Sequence, residues 1–361
     1  MRVLHVNTER GWRGGERQTL LTVRGLLERG VWAGLVAQPG CPLYSAAAER
    51  GVIVHPLRIR GGFDPLAALR LARIVRDSGA GLLHLQTAHA GNLALLARLF
   101  GARPLLVASR RVDFRVKSAW KYNRFDAVAA VSEAIRRILI EGGVEGERIR
   151  VIRDGIPVDV RRPPSVDALR RELAEEGEGD EEGGPLVGAV GHLTAHKGHR
   201  HLLEALPAIL EQRPRLKLAL IGDGELRGAL ERQARELGVA GRVVFAGFRA
   251  DALDLLWALD LLVLPSVEEG LCTTLLDAML RGVPIVASAA GGIPEALDDG
   301  RFGRLVPPGH PQALAEAVVA VLADEAGRRA MTEGAGEWVR RRFGADAMVD
   351  ATLNLYRELS G

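Results

Sequence analysis

The sequence predicts an α/β protein made of two doubly wound parallel-sheet domains, and three observations carry that expectation. The chain has 361 residues, 47% of them hydrophobic, and a mean hydropathy near zero, which suffices for two packed cores. Short apolar segments alternate with amphipathic stretches along nearly its whole length, the pattern of repeated βαβ units. The alternation lapses once, over 161–185, where RRPPSVDALRRELAEEGEGDEEGGP offers prolines, a short helix and an acidic glycine-rich run but no core-forming period.

The elements follow in order. RVLHV opens a first series, a helix over 19–29 follows, and WAGLVA, GLLHL, PLLVAS and AVAAVS come next, each ahead of an amphipathic stretch. This series defines a first domain, 1–160, and the lapse defines a linker with a mobile acidic loop, 161–184. PLVGAVGHL opens the second series, which continues through KLALIGDG, RVVFAGF, DLLVLPS and PIVAS, giving a second domain over 185–342. From Pro311 onward only helical patterns remain. The last of them, 345–359, is expected to pack back on the first domain, so that about 343–361 belongs with it.

Composition narrows the classes of function. No run of eighteen uncharged apolar residues occurs, and the N-terminus MRVLHVN reads as a buried strand and not as a signal peptide, so a cytoplasmic protein is expected. Cys41 and Cys272 form neither a disulfide framework nor a zinc-binding pair, and no metal site is expected. Through Pro157 the chain carries 25 Lys and Arg against 13 Asp and Glu, whereas the remainder carries 23 against 32. A cationic first half suits a phosphorylated acceptor, an acidic glycan or the inner face of a membrane met peripherally. Within it, SRRVDFRVKSAWKYNR (109–124) interleaves six basic residues with Phe114, Trp120 and Tyr122, the make-up of an acceptor or membrane-surface patch. No nucleic-acid reading motif accompanies it, and nucleic acid is set aside as a partner.

Ligands of open α/β sheets bind outside the carboxyl ends of the strands, so loops after strands weigh most. The segment 261–288, LLVLPSVEEGLCTTLLDAMLRGVPIVAS, runs from strand through glycine loop and short helix to strand. Its helix begins near Cys272 and Thr273, where unpaired N–H groups and the macrodipole favour a phosphate. Gly270 lets backbone approach a ligand, Glu269 can accept from sugar hydroxyls, and Asp277 lies one turn into the helix. Taken alone the same residues also fit an ordinary crossover.

The loop GHLTAHKG (191–198) carries one of only four lysines, Lys197, in a chain with 44 arginines. A compact ammonium on a flexible stem suits a point contact to a diphosphate, although a chance surface lysine reads the same way. Gly222 after the strand LALI, and Phe248 with Arg249 after VVFA, complete four glycine-bearing strand-end loops in one domain. In the first domain TERGWRGGERQ (8–18) places Gly14 and Gly15 before a helix, but G-x-x-G-G is not the dinucleotide spacing G-x-G-x-x-G. His84 and His89 flank another strand end, and for each a core or capping role is the commoner outcome.

Taken together, Gly14-Gly15-Glu16, Val131-Ser132-Glu133, Asp154-Gly155-Ile156, GHLTAHKG, GDGELRGAL, PSVEEGLCTTLLDAM and GVPIVAS resemble the family-4 retaining glycosyltransferases of the GT-B fold, over nearly the whole chain. The resemblance implies two Rossmann-like domains facing across a cleft and transfer of a sugar from a nucleotide-diphosphate donor, UDP- or GDP-sugar first, with no cofactor or metal required. Lys197 would then contact the diphosphate and Glu269 the donor sugar, these two being the catalytic residues. Asp277 would contact the ribose; backbone at Leu271, Cys272 and Thr273 the phosphate; Phe248 and Arg249 the base; Gly14 and Gly15 the donor from the first domain; and Gly222 and Gly270 also count as donor-binding. His89, Arg110 and Arg111 would lie on the acceptor side, and from the charge of the first half an anionic or lipid-linked acceptor is expected, in glycan, glycolipid or envelope polysaccharide synthesis.

Three positions depart from the family pattern. Asp277 shortens the second acid of E-x7-E by a methylene, His192 stands where the family has an arginine on the diphosphate, and Arg110 stands where a histidine often lies near the acceptor. A nucleotide-sugar epimerase on the same fold, or a non-catalytic nucleotide- or glycan-binding subunit, are the alternative readings.

Overall fold

The computed structural model describes residues 1–175 and 183–361, so the acidic end of the expected linker, 176–182, lies outside the described residues. The chain forms two compact units, Met1–Gly155 with Phe343–Gly361, and Ile156–Arg342.

The first unit holds seven strands: β1 (Arg2–Val6), β2 (Trp32–Ala37), β3 (Ile53–Pro56), β4 (Leu82–Leu85), β5 (Leu105–Arg110), β6 (Ala127–Ala130) and β7 (Ile149–Val151). They pair in the order β3-β2-β1-β4-β5-β6-β7, and every neighbour is parallel. Parallel strands need helical crossovers on both faces, which is why Val3, Leu4, Leu35, Val36, Leu82 and Leu83 are all buried whichever way they point. Asp64, Thr87 and Ser132 cap the helices Pro65–Ser78, Ala88–Arg98 and Glu133–Glu141 by accepting from a first-turn N–H. The C-terminal helix Ala345–Ser360 packs on the helix Gly14–Glu28 of this unit. Arg29 clamps it through Asp350 at 2.6 Å and Asp346 at 2.9 Å, and Val349 sits so close to Gly25 that a Cβ there would lie 2.5 Å from its Cγ2.

The second unit holds β8 (Leu186–Val190), β9 (Lys217–Ile221), β10 (Val243–Gly247), β11 (Leu261–Leu264), β12 (Ile285–Ser288) and β13 (Arg304–Val306). The order is β10-β9-β8-β11-β12-β13, again parallel throughout. Its core joins β8, β9 and β11 to the helices His199–Gln212 and Pro311–Ala323. The helix Val166–Glu175 falls in the stretch expected to be linker, yet it is built into this unit. Leu173 is fully buried, and Arg170 donates to Ala258 O at 2.8 Å and to Asp260 Oδ2 at 2.6 Å. Leu169 and Leu173, four apart on one helical face, supply the reason.

In each sheet the chain order reverses at one place, between β1 and β4 and between β8 and β11. Loops leaving such a pair of strands run to opposite sides and open a crevice. Among the described residues no helix is long and apolar enough to cross a membrane.

Candidate active site

The β8/β11 reversal brings together two loops that are far apart in sequence. The 191–198 loop ends in a 3-10 turn, Ala195–Lys197, and Gly198 at φ +68°, while the loop after β11 carries Ser266 and Glu269. Their backbones are stitched: Val267 N donates to His196 O at 2.8 Å, and a Cβ on Gly198 would lie 2.0 Å from Pro265 O. Only glycine tolerates both that torsion and that approach.

On this scaffold Lys197 Nζ donates to Glu269 Oε2 at 2.5 Å, and Ser266 Oγ donates to the same oxygen at 3.4 Å. The Glu269 side chain retains 12% exposure and that of Lys197 23%, so the pair is shielded but reachable. From the other side Gly291, at φ +50° in the segment after β12, approaches so closely that a Cβ would lie 1.6 Å from Glu269 O. Lys197 and Ser266 thus hold the Glu269 carboxylate, and Gly291 packs against its backbone.

The helix Thr273–Leu280 starts directly beyond. Its N-cap, Cys272, has φ 66° and ψ 80°, a left-handed conformation that favours glycine and costs an ordinary residue about 1–3 kcal/mol. Burial pushes the Cys272 thiol up to about 12, with the Glu269 carboxylate adding to it, so the sulfur stays protonated at neutral pH and is no nucleophile. Leu271 is buried, whereas Thr273 is half-buried at the first turn.

Asp277 does not present its carboxylate at the surface. It is 1% exposed, and its Oδ1 lies 3.7 Å from Nη1 of Arg281, which also donates to Asp277 O at 2.8 Å. The shorter acid stays inside the fold beside a guanidinium one turn further along the helix.

The remaining loops of this unit interlock at the same sheet edge. Gly222 (φ +143°) donates to Gly247 O at 2.8 Å, and a Cβ there would lie 2.0 Å from Gly191 O. Phe248 projects at 72% exposure. Arg249 is held bidentate by Asp251 at 2.8 and 2.7 Å and paired with Glu172, contacts that raise its pKa further. His192 is exposed, and His199 is buried beside Lys197, with burial first and the neighbouring cation second lowering its pKa to about 4.

In the first unit the helix Gly14–Glu28 begins at Gly14. Arg13 N donates to Glu16 Oε2 at 2.9 Å and Asn7 Nδ2 to Glu16 Oε1 at 3.2 Å, so the Gly14-Gly15-Glu16 turn is pinned by its acid. A Cβ on Gly15 would meet nothing within 4 Å. His89 is exposed near the start of helix Ala88–Arg98, while His84 is a core residue whose ring bridges Tyr356 OH and Ser109 Oγ at 2.5 and 2.8 Å. Arg110 donates to Tyr122 OH at 3.1 Å. Arg111 turns inward, its Nε to Asp154 Oδ1 at 2.9 Å and its Nη1 to Gln86 Oε1 at 2.8 Å.

Comparison with known proteins places the chain in a family. The model described as glycosyl transferases group 1 matches residues 184–324 and that of glycosyltransferase family 4 matches residues 12–160. A GDP-mannose-dependent alpha-(1-6)-phosphatidylinositol monomannoside mannosyltransferase of Mycolicibacterium smegmatis is 30% identical over 322 residues, 83% of this chain and 82% of its own length. The chain belongs to the family-4 glycosyltransferases of group 1.

A 2-deoxystreptamine glucosyltransferase of Streptomyces kanamyceticus is 28% identical over 78% of this glycosyltransferase and 72% of its own length. The structure of Anabaena HepE in complex with UDP and glucose matches with a TM-score of 0.86 at 23% identity, covering 99% of this chain and 100% of that one, and shows the GT-B fold. The membership favours nucleotide-sugar-dependent transfer over epimerisation. Among the described residues of this glycosyltransferase no group of three or more His, Cys, Asp or Glu could hold a metal ion. Sequence reasoning missed Ser266 and Arg281, the latter signalled only by its place four residues after Asp277.

Proposed function

We propose that the second unit binds a nucleotide-diphosphate sugar at the β8/β11 edge and that the enzyme transfers the sugar with retention to an acceptor hydroxyl. The observation that carries this reading is the 2.5 Å pair of Lys197 and Glu269 beside the start of helix Thr273–Leu280. A diphosphate replaces the carboxylate as partner of the Lys197 ammonium, with first-turn backbone at Thr273 as its second set of donors. Glu269, released, accepts from donor-sugar hydroxyls. The exposed ring of Phe248 offers a face to the base, and Arg249, already saturated by acids, contributes through its backbone.

In the transfer step the bond from the anomeric carbon to the phosphate oxygen breaks, with its electron pair going to the diphosphate. The acceptor oxygen bonds the anomeric carbon from the same face, and its proton passes to the departing phosphate oxygen. Lys197 and the helix start stabilise the charge that develops on the leaving group, the largest contribution asked of the protein. UDP is the first candidate nucleotide, since the structure of Anabaena HepE holds UDP and glucose, and GDP is the second, since the relative from Mycolicibacterium smegmatis is GDP-mannose-dependent. The acceptor is read as anionic or lipid-linked because the first half of the chain is cationic, which also suits a peripheral position on a membrane.

A thermal-shift screen of UDP, GDP and ADP with their sugar conjugates tests the donor. Binding at 100 times Kd stabilises the folded state by about 2.7 kcal/mol, and a screen in which none of them raises the transition temperature refutes the reading.

A further inference from the structure

In the first unit the loops after β3 and β5 both close on the start of helix Ala88–Arg98. A Cβ on Gly62 would lie 3.2 Å from the His89 ring, and Lys121 Nζ donates to Ala88 O at 3.3 Å. Each loop is anchored by inward apolar side chains and turns cations and aromatics outward. After β3, Leu57 and Ile59 are buried, whereas Arg58 and Arg60 are exposed and Phe63 is 76% exposed. After β5, Tyr122 and Phe125 are buried and Val116 packs where a Cβ on Gly142 would meet it, whereas Phe114, Lys117 and Trp120 face out. The Arg124 guanidinium lies 3.8 Å from the centre of the exposed Trp120 ring.

Single exposed apolar residues are ordinary, but three exposed aromatic rings set among cations on two converging loops are not. Aromatic rings with an apolar body gain free energy in the headgroup region of a bilayer, and lysine and arginine beside them reach lipid phosphates while their stems stay apolar. The cations match in sign: through Pro157 the chain carries 25 basic against 13 acidic residues. The headgroup region of an anionic bilayer engages both kinds of residue at once.

We propose that Phe63, Phe114 and Trp120, with Arg58, Arg60 and Lys117, dock the first unit on the surface of an anionic lipid bilayer. This deepens the reading of the acceptor as lipid-linked, on which it rests. Both loops leave the carboxyl edge of the first sheet, so the bilayer meets the unit at the edge where open α/β sheets bind their ligands.

Sedimentation of the full chain with vesicles tests it, using phosphatidylcholine alone and phosphatidylcholine mixed with phosphatidylglycerol. The expected result is binding to the mixed vesicles only, weakened by salt, and a loss of about tenfold or more in the variant F63S/F114S/W120S. Three results would overturn the proposal: no binding to the mixed vesicles at low salt, equal binding to both kinds, or unchanged binding of the aromatic variant. The UDP-induced thermal shift serves as the folding control. Its retention alongside lost vesicle binding by the variant supports the docking role; its absence from the wild type, with vesicle binding intact, counts against the donor reading alone.

Discussion

Lys197 Nζ stands 2.5 Å from Glu269 Oε2 although 72 residues separate them, because their loops leave the two strands between which the second sheet reverses. The pair stores a cation and an anion in mutual neutralisation at a place where an open α/β sheet receives a ligand. A diphosphate is the natural replacement for Glu269 as partner of Lys197, and a sugar hydroxyl for Lys197 as partner of Glu269.

Lys197→Ala should lower turnover by about 10²–10³-fold, the usual consequence of removing one donor that stabilises a departing anion. Stability should fall by only about 1 kcal/mol, since the pair is partly solvated and Glu269 keeps Ser266 as a hydrogen-bond donor. Steady-state kinetics beside urea denaturation separates the two effects; near-normal turnover would remove Lys197 from the mechanism.

Gly198→Ala and Gly291→Ala should each destabilise by about 2 kcal/mol or more, because both combine positive φ with a backbone carbonyl 2.0 or 1.6 Å from the added carbon. Gly15→Ala, with open space at its Cβ, should leave stability within about 0.5 kcal/mol. Urea midpoints at constant m-value decide, and equal midpoints for all three would contradict the interlocked loops.

Arg281→Met leaves Asp277 buried without its guanidinium and should cost about 3 kcal/mol. The double variant with Asp277→Asn should recover at least about 1 kcal/mol of that loss. Additive losses in the double-mutant cycle would show that the two side chains do not interact.

Acid should destabilise the protein through its buried histidines. Burial lowers the pKa of His5 to about 3 and that of His199 to about 4, each from an ordinary 6.5, and His84 follows in the same direction. Below pH 6.5 the unfolded chain binds these protons and the folded one does not, so stability is full above 6.5 and is lost as pH falls toward the folded values. Each histidine should contribute about 1.4 kcal/mol per pH unit within that window. Glu16 and Asp154, raised by burial above their ordinary 4.5 and 3.8, act in the opposite sense. Denaturation of His5→Gln at pH 7, 6 and 5 should show a shallower decline than wild type.

The two parallel sheets were legible because strands buried on both faces read as apolar runs, and ten strands stand out in that way. The three that do not, β3, β7 and β13, are short edge or near-edge segments, IVHP, IRV and RLV, whose polar residues face solvent or neighbouring loops. Lys197 and Glu269 were legible singly from the strand-end rule, but their pairing depended on strand order, which no local pattern encodes. Neighbouring arginines in an extended segment point to opposite sides, and the sequence could not say that Arg111 would turn inward to Asp154 and Gln86 while Arg110 met Tyr122. Burial of Asp277 beside Arg281 likewise depends on how the helix seats on its sheet.

The most direct test is calorimetric titration of UDP and of uridine into the wild type and Lys197→Ala. If Lys197 exchanges Glu269 for the diphosphate, UDP should bind the variant about tenfold or more weakly, a loss of about 1.4 kcal/mol or more, while uridine binds both alike. Equal UDP affinity in the two proteins would contradict the account.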